Sequence, residues 1–272
     1  MATSRRITAL ITGASSGIGL ALAECCARAG HDLLLVARRE PELAAAAARL
    51  SAAHGISAQV LALDLTAAGA IARLHEQAVA SGLDVGIVIN NAGFGTTGAF
   101  AQSRWADEER MIRLNILAGT DLVRRFLPDL LARGGGRIMN VASTAAFLPG
   151  PLMSVYYATK AYVLSWSQAL SAELRGSGVT VTALCPGPTR TEFDQVAGTS
   201  GSKLFASRLV MSAEAVAAIG YRALMRGKRV AIAGWLNRVM AFSTRLTPTA
   251  ILMHVAMGLN RTLVRAPVTP AS

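Results

Sequence analysis

Residues 12–19 read TGASSGIG, and the reading of this stretch decides the fold. It follows an apolar run, RITALIT (6–12), and leads into residues 17–29, which end at Gly30. The run reads as a β-strand and the following stretch as an α-helix. Gly13, Gly17 and Gly19 permit a tight turn and a close approach of backbone to a ligand. A helix that starts in such a turn offers free N–H groups to an anion such as a pyrophosphate. Ser15, Ser16 and Ile18 stand between the glycines and are candidates to touch that ligand. A glycine-rich turn alone is also how an ordinary loop looks; the strand–turn–helix context gives it meaning.

Outward from the turn the same alternation repeats. Strands are predicted at 32–37, 58–64, 85–90, 136–143, 179–186 and 229–233, and helices at 41–54, 67–81, 107–132, 154–175 and 212–226. Pro128 lies inside 107–132 and predicts a break or bend there. Near-continuous apolar strands alternating with helices imply a parallel sheet covered on both faces. That is an α/β, doubly wound, Rossmann-type domain, with its ligand crevice at the carboxyl ends of the strands. Residues 1–233 read as this domain and 234–272 as a helical C-terminal extension.

Composition sets further bounds. The chain has 272 residues, 52% hydrophobic and 16% charged, which excludes disorder. Three cysteines, with Cys25 and Cys26 adjacent, give neither a disulfide framework nor a metal-binding spacing. A reducing, cytoplasmic setting and no metal are expected. The apolar run after Arg5 and Arg6 is too short for the core of a signal peptide. The net charge of +11 is uneven: residues 1–202 hold 17 Lys/Arg and 15 Asp/Glu, whereas residues 203–272 hold 10 Lys/Arg and one acid, Glu214. A basic segment can attract nucleic acid or an anionic membrane, or can be a solvated face. No basic motif with interleaved aromatics supports a nucleic-acid partner.

The second strand ends VARRE (36–40). In this fold an acid about 20 residues past the turn binds the ribose 2′-hydroxyl of NAD, and arginine accommodates the 2′-phosphate of NADP. Ala37 stands where that acid is sought, and Arg38 and Arg39 follow. Two guanidiniums suit a phosphate, so NADPH/NADP+ is expected ahead of NADH/NAD+. Glu40, next in line, is the residue that argues the other way.

The stretch SVYYATKAY (154–162) gathers three of the four tyrosines around Lys160. On a helix Tyr156 lies one turn before the lysine, Tyr157 three residues before it, and Tyr162 points elsewhere. An ammonium beside a phenol lowers the phenol's pKa, so that it can exchange a proton near neutral pH. Aromatics at this spacing also serve as core, and spacing alone does not choose between the tyrosines.

Taken in order, TGASSGIG (12–19), NNAG (90–93), LN (114–115), NVAS (140–143), YYATK (156–160) and PGPTRTEF (186–193) resemble the short-chain dehydrogenase/reductase family over about residues 5–230. The resemblance implies an NADPH-dependent carbonyl reductase or alcohol dehydrogenase, a lipophilic ketone or secondary alcohol as substrate, and a homodimer or homotetramer. It implies a catalytic tetrad of Asn115, Ser143, Tyr156 and Lys160. Tyr156 would exchange the proton, Ser143 would hold the carbonyl oxygen, Lys160 would tune the tyrosine and bind the nicotinamide ribose, and Asn115 would support a water relay. It implies adenine contacts from Asp64 and Leu65, ribose contacts from Asn91, Ala92 and Gly93, and nicotinamide contacts from Pro186, Gly187, Thr189 and Thr191. Tyr157 would line the cleft or pack beside it. Residues 192–211 would cover the substrate, with Phe193, Leu204, Phe205 and Leu209 as an apolar wall; Arg190, Lys203 and Arg208 are the cations nearest to it in sequence.

The tail departs from the minimal family pattern. Residues 251, 252, 255, 256, 259 and 263 are apolar at helical spacing, with His254, Arg261 and Arg265 near the other side. Such a helix packs on the protein or a second subunit, or lies shallowly on an anionic membrane, which would make the protein peripheral. Outside enzymology, the same fold serves a non-catalytic dinucleotide-binding regulator; an intact tetrad argues against that reading.

Overall fold

The computed structural model describes residues 6–190 and 210–264, with side chains through Arg261. The strands are β1 (Thr8–Thr12), β2 (Asp32–Ala37), β3 (Ala58–Ala62), β4 (Val85–Asn90), β5 (Gly136–Val141), β6 (Val179–Cys185), β7 (Thr189–Arg190), β8 (Met211–Ser212) and β9 (Val230–Ile232). Seven of them form one sheet in the order β3-β2-β1-β4-β5-β6-β9, parallel at every pairing. The short β7 and β8 pair apart from it. Strand order reverses between β1 and β4, so the loops leaving these two neighbours diverge and open a crevice.

The helices are α1 (Gly17–Arg28), α2 (Glu40–His54), α3 (Ala70–Ala80), α4 (Trp105–Ile112), α5 (Gly119–Ala132), α6 (Ser154–Glu173), α7 (Ala213–Met225), α8 (Trp235–Ser243) and α9 (Thr249–Val264). Alternate strand residues feed two cores. Ile11, Leu35 and Ile89 meet Leu22, Leu43, Leu50, Val216 and Leu224 from α1, α2 and α7 on one face. Leu10, Val36, Val88 and Ile138 meet Leu74, Leu122, Phe126 and Leu170 from α3, α5 and α6 on the other. Burial on both faces is why the strands read as unbroken apolar runs.

The break expected at Pro128 is not found. Pro128 sits inside α5, on the exposed side with Arg124, the residue whose carbonyl its missing N–H would have bonded, so water can serve that carbonyl. The irregularity lies further back. Residues Arg113–Ala118 form a wider π turn between α4 and α5, and this turn carries Asn115. Insertions of this kind are frequent at functional sites.

A buried polar chain fixes α6 against the sheet. Asn90 Nδ2 donates to Asn140 Oδ1 (3.2 Å), Asn140 Nδ2 donates to Ser167 Oγ (2.9 Å), and Ser167 Oγ donates to the Val163 carbonyl (2.6 Å). Asn140 is both donor and acceptor here. Without it Asn90 loses this partner while Ser167 keeps its bond to the Val163 carbonyl; a buried group left unsatisfied costs ~1–3 kcal/mol.

In the tail, the apolar positions expected on one face of α9 divide, through residue 259, into two rows, and the buried row also takes in Asn260. Ala256 and Asn260 are buried with Leu252 partly so, whereas Ile251, Val255 and Leu259 stay about half exposed, at 54%, 52% and 46%. The helix therefore packs on its own protein and still presents an apolar row. No helix among the described residues is long and apolar enough to cross a membrane.

Candidate active site

The glycine turn is held from below by its neighbour strand. Thr12 Oγ1 accepts from the N–H groups of Asn91 and Ala92, both at 3.0 Å. Asn91 Nδ2 donates back to the carbonyls of Thr12 (2.9 Å) and Gly13 (3.2 Å). The Asn91 amide is thus spent on bracing the turn. Thr12, the first letter of the motif, is a positioning residue the sequence reading passed over. Gly13 and Gly17 hold φ values of 65° and 55°, which other residues adopt only with strain. A Cβ on Gly19 would strike the Gly13 carbonyl, so Gly19 serves the close packing of helix on turn and is not on the cleft wall. Gly13, Ser15, Ser16, Gly17 and Ile18 are on that wall.

From the turn, a cavity of about 770 Å³ runs past Arg38, Arg39, Asp64 and Leu65, along Asn91–Gly93, to Ser143, Tyr156, Lys160 and Pro186–Thr189. Its size is that of a ligand pocket. A backbone cradle that tolerates no added Cβ and faces a helix N-terminus fits a dinucleotide pyrophosphate.

Charges cluster at the end near β2. Arg39 donates to Ser15 Oγ (3.3 Å) and pairs with Glu42 (3.4 Å). Arg38 lines the cavity beside Asp64. Burial alone would raise the Asp64 carboxyl, but bonds from the Thr66 N–H and hydroxyl, then Arg110 and Arg38, hold it below the usual carboxylate range. Arg110, 3.7 Å from Asp64 and over the Phe94 ring, is a second residue that sequence reading missed; nothing in its local pattern marks it. Glu40 is exposed in the first turn of α2 and does not line the cavity.

The three tyrosines have three environments. Tyr156 is buried, hydrogen-bonds Ser143, and is pushed up to about 12 by burial, with the Ser143 bond opposing and Tyr157 adding to the shift. Its ring rests on Gly95, where a Cβ would come within 2.8 Å. Tyr157 is half-buried, stands edge-on to Tyr156 with ring centroids 6.1 Å apart, and lines the same cavity. Tyr162 is turned away, bonded to Thr120 (3.1 Å) and stacked on Trp166.

Lys160 is 6% exposed, with Nζ donating to the Val141 carbonyl at 3.0 Å and lying 5.8 Å from the Tyr156 ring centroid. Burial lowers it from 10.5 to about 8, against a small opposing pull from Cys185. The expected lowering of the tyrosine by the lysine is therefore not what this geometry gives. Desolvation dominates both groups, and it favours a neutral phenol and a readily neutralised amine.

Asn115 stands behind the cleft wall. Its Oδ1 accepts from Phe94 N (3.1 Å), and its Nδ2 donates to Phe94 O (2.9 Å) and Thr159 Oγ1 (3.0 Å). A Cβ on Gly93 would fall 3.0 Å from Asn115 Oδ1 and 3.3 Å from Lys160 Nζ. Both amide donors are consumed, so a link from Asn115 towards the lysine has Oδ1 or the main-chain carbonyl as its acceptor. Ser143 caps the short turn after β5, accepting from Ala145 N (3.1 Å). Thr189 is buried, donating to the Gly187 carbonyl (2.9 Å). Cys185 is a buried thiol pushed up to about 12 by burial, as a small core residue is. Thr191, Phe193, Lys203, Leu204, Phe205, Arg208, Leu209 and Arg265 lie outside the described residues, and Arg190 is exposed in β7. Among the described residues no cluster could hold a metal ion.

Two solved structures are similar to this chain over nearly its whole length. A short-chain dehydrogenase from Sphingobium yanoikuyae in complex with NADPH is 35% identical, covering 98% of each chain with a TM-score of 0.79. A bulky-bulky ketone specific alcohol dehydrogenase from Comamonas testosteroni is 30% identical, covering 99% of this chain and 98% of that one with a TM-score of 0.76. A fatty acyl-CoA reductase of Acinetobacter baylyi is 34% identical over 255 residues, 93% of this chain and 84% of its own.

The buried lysine predicts a pH signature. Below pH 8 the folded and unfolded chains both carry Lys160 protonated, and the fold bears the full cost of the buried charge. Between about 8 and 10.5 the folded lysine is neutral while the unfolded one still binds its proton, so its contribution to stability rises with pH. That difference is worth about 3 kcal/mol. Tyr156 acts in the opposite sense, above pH 10, where the unfolded chain loses a phenolic proton that the fold keeps to about 12. Lys160→Met should therefore gain most over wild type near pH 7, and the gain should shrink by about 3 kcal/mol by pH 10. Urea unfolding at both pH values measures it; a gap independent of pH would contradict the assignment.

Proposed function

We propose a function from one premise: the chain belongs to the short chain dehydrogenase family, whose model matches residues 7–200. It is accordingly an oxidoreductase of alcohol and carbonyl groups that uses a nicotinamide dinucleotide. Our reading is an NADPH-dependent reductase that interconverts a lipophilic ketone and its secondary alcohol. The observation that carries it is one cavity lined by Gly13, Ser15, Ser16, Gly17, Ile18 and two arginines at one end and by Ser143, Tyr156 and Lys160 at the other.

A nicotinamide dinucleotide held in this cavity would supply the hydride for the carbonyl carbon. The protein's residues do the rest. Gly13, Ser15, Ser16, Gly17 and Ile18 would hold the pyrophosphate, and Gly19 keeps the turn close. Asp64 and Leu65 would meet the adenine, Ala92 and Gly93 would follow the ribose, and Pro186, Gly187 and Thr189 would meet the nicotinamide end. Tyr156, protonated at neutral pH, gives its proton to the substrate oxygen as negative charge develops there, and Ser143 hydrogen-bonds the same oxygen. Lys160, titrating near 8, is suited to pass a proton on to the phenolate, with Asn115 as the neighbour that holds a relaying water. A regulator that only bound nucleotide would gain nothing from a desolvated lysine beside a buried phenol. Phe94, Leu114, Ala145 and Met153 on the wall suit an apolar substrate.

The reading expects ketone-dependent loss of nicotinamide absorbance with NADPH, and binding of NADPH at least about tenfold tighter than NADH. Charge-assisted contacts to a phosphate are worth ~1.5–3 kcal/mol. Arg38→Ala should erase most of that preference while leaving NADH affinity in place. Equal affinities in the wild type would refute the NADPH assignment.

For the tail we favour a shallow contact with an anionic membrane surface. Ile251, Val255 and Leu259 of α9 are exposed, and so are Trp235, Val239 and Phe242 of α8. Arg238, Arg245 and Arg261 belong to the same tail, and no acid follows Glu214 in the sequence. A second copy would bring an equally basic tail, whereas lipid phosphates complement its charge. The protein should co-sediment with phosphatidylserine vesicles at low salt and be released by about 1 M salt, where the Debye length is ~3 Å. Indifference to these vesicles at low salt would rule the contact out.

A further inference from the structure

We propose that Tyr157 and Asn260 form a second polar subsite in the cleft, which holds an oxygen of the substrate other than the one that reacts. The inference rests on the reading of Tyr156 as the proton donor and deepens it. It assigns the substrate class as a lipophilic ketone carrying a further oxygen function: a keto ester, a diketone or a hydroxyketone.

Asn260 is out of character for its helix. Ile251, Val255 and Leu259 of α9 face outward, yet the Asn260 side chain is 3% exposed and lines the cavity with Tyr156, Tyr157 and Ser143. Its Nδ2 donates to the Pro151 carbonyl at 2.8 Å. Its Oδ1 accepts from the Tyr157 hydroxyl at 3.4 Å, a long and therefore weak bond. The amide has two N–H donors and two acceptor positions, and the phenol oxygen can accept as well as donate. One donor and one acceptor position of Asn260 are thus used. The second N–H, the second Oδ1 position and the Tyr157 oxygen keep capacity for a ligand. A carbonyl can take the N–H; a hydroxyl can also donate to the Tyr157 oxygen. Met153 and Ala145 nearby on the wall offer side chains without a hydrogen-bond donor, so this pair stands out as a polar spot there.

The pair is also held in position. The Tyr157 ring is seated on Gly150, where a Cβ would collide with it. Leu152 has a φ of 66°, a left-handed conformation that costs a leucine ~1–3 kcal/mol. Its carbonyl accepts from Gly98 N at 2.8 Å. The loop that presents the Pro151 carbonyl to Asn260 is therefore clamped from both sides. Preorganised groups of this kind discriminate strongly, because a substrate lacking the matching atom leaves them unpaired.

The test uses the full-length protein with NADPH and pairs of ketones of equal length, with and without a second oxygen two to five bonds from the carbonyl. The readout is the ratio of kcat/KM within a pair, which a general loss of folded enzyme does not move. Wild type should prefer the oxygenated partner about tenfold or more, as for one buried hydrogen bond, chiefly through KM. Asn260→Leu and Tyr157→Phe should each bring the ratio close to one. Calorimetric binding of the same pairs to the NADPH complex of Tyr156→Phe reads the preference without turnover, so a failure of the catalytic reading and a failure of this one are told apart. A wild type without preference, or a preference that survives both substitutions, overturns the subsite.

Discussion

The site depends on keeping one ammonium group out of water. Lys160 sits on α6 between the ends of β5 and β6, bonded to the Val141 carbonyl and deep enough that burial brings it to about 8. A charged lysine there opposes folding, so the surrounding structure must overdetermine its position. Three devices do so. The Asn90–Asn140–Ser167 chain pins α6 to two strands. The π turn at Asn115 carries an amide that holds Phe94 and Thr159, the residue before the lysine. Gly93 leaves a gap between Asn115 and Lys160 where any side chain would intrude. Each device sits at a strand end or helix face that the doubly wound topology brings to the same crevice.

The opposite end of the cleft uses backbone rather than charge. Thr12 and Asn91 lock the turn after β1 to the loop after β4, so the strand-order reversal is where the two halves of the binding surface are joined. The glycine turn and the Ser143–Tyr156–Lys160 group then share one cavity because both lie at the carboxyl ends of neighbouring parallel strands. Solvation differs between the two ends: Arg39 is half-exposed and engaged by Glu42 and Ser15, while Tyr156 and Lys160 are nearly dry.

Much of this was legible in the sequence because the signals are local. β2 and β4 appear at the predicted residues, and the other strands of the main sheet differ by up to two residues at their ends. Gly13–Gly17, Ser143, Tyr156 and Lys160 meet on one cavity because each lies next to a strand or helix end that periodicity identifies. What sequence missed is long-range or balanced. Pro128 predicts a break or bend because its missing N–H is local knowledge, whereas the exposure that lets water serve the Arg124 carbonyl and the helix run on is tertiary. Asn260 reaches Tyr157 from 103 residues away, and nothing in the pattern of α9 separates it from a surface polar residue. The Tyr156 phenol is expected to follow its neighbour's charge; burial, which spacing does not measure, is the leading cause of its shift, and it acts upward.

The central claim is that the buried phenol of Tyr156 gives the proton in carbonyl reduction. Turnover of a ketone with NADPH by Tyr156→Phe, set beside nucleotide binding by the same protein, tests it most directly. Removing one oxygen atom from a buried ring should lower kcat by about 10²–10⁴, the usual contribution of general acid catalysis, with NADPH affinity essentially that of wild type. A Tyr156→Phe protein that binds NADPH and still reduces the ketone at a wild-type rate, or a loss of turnover found with Tyr157→Phe and not with Tyr156→Phe, would contradict the account.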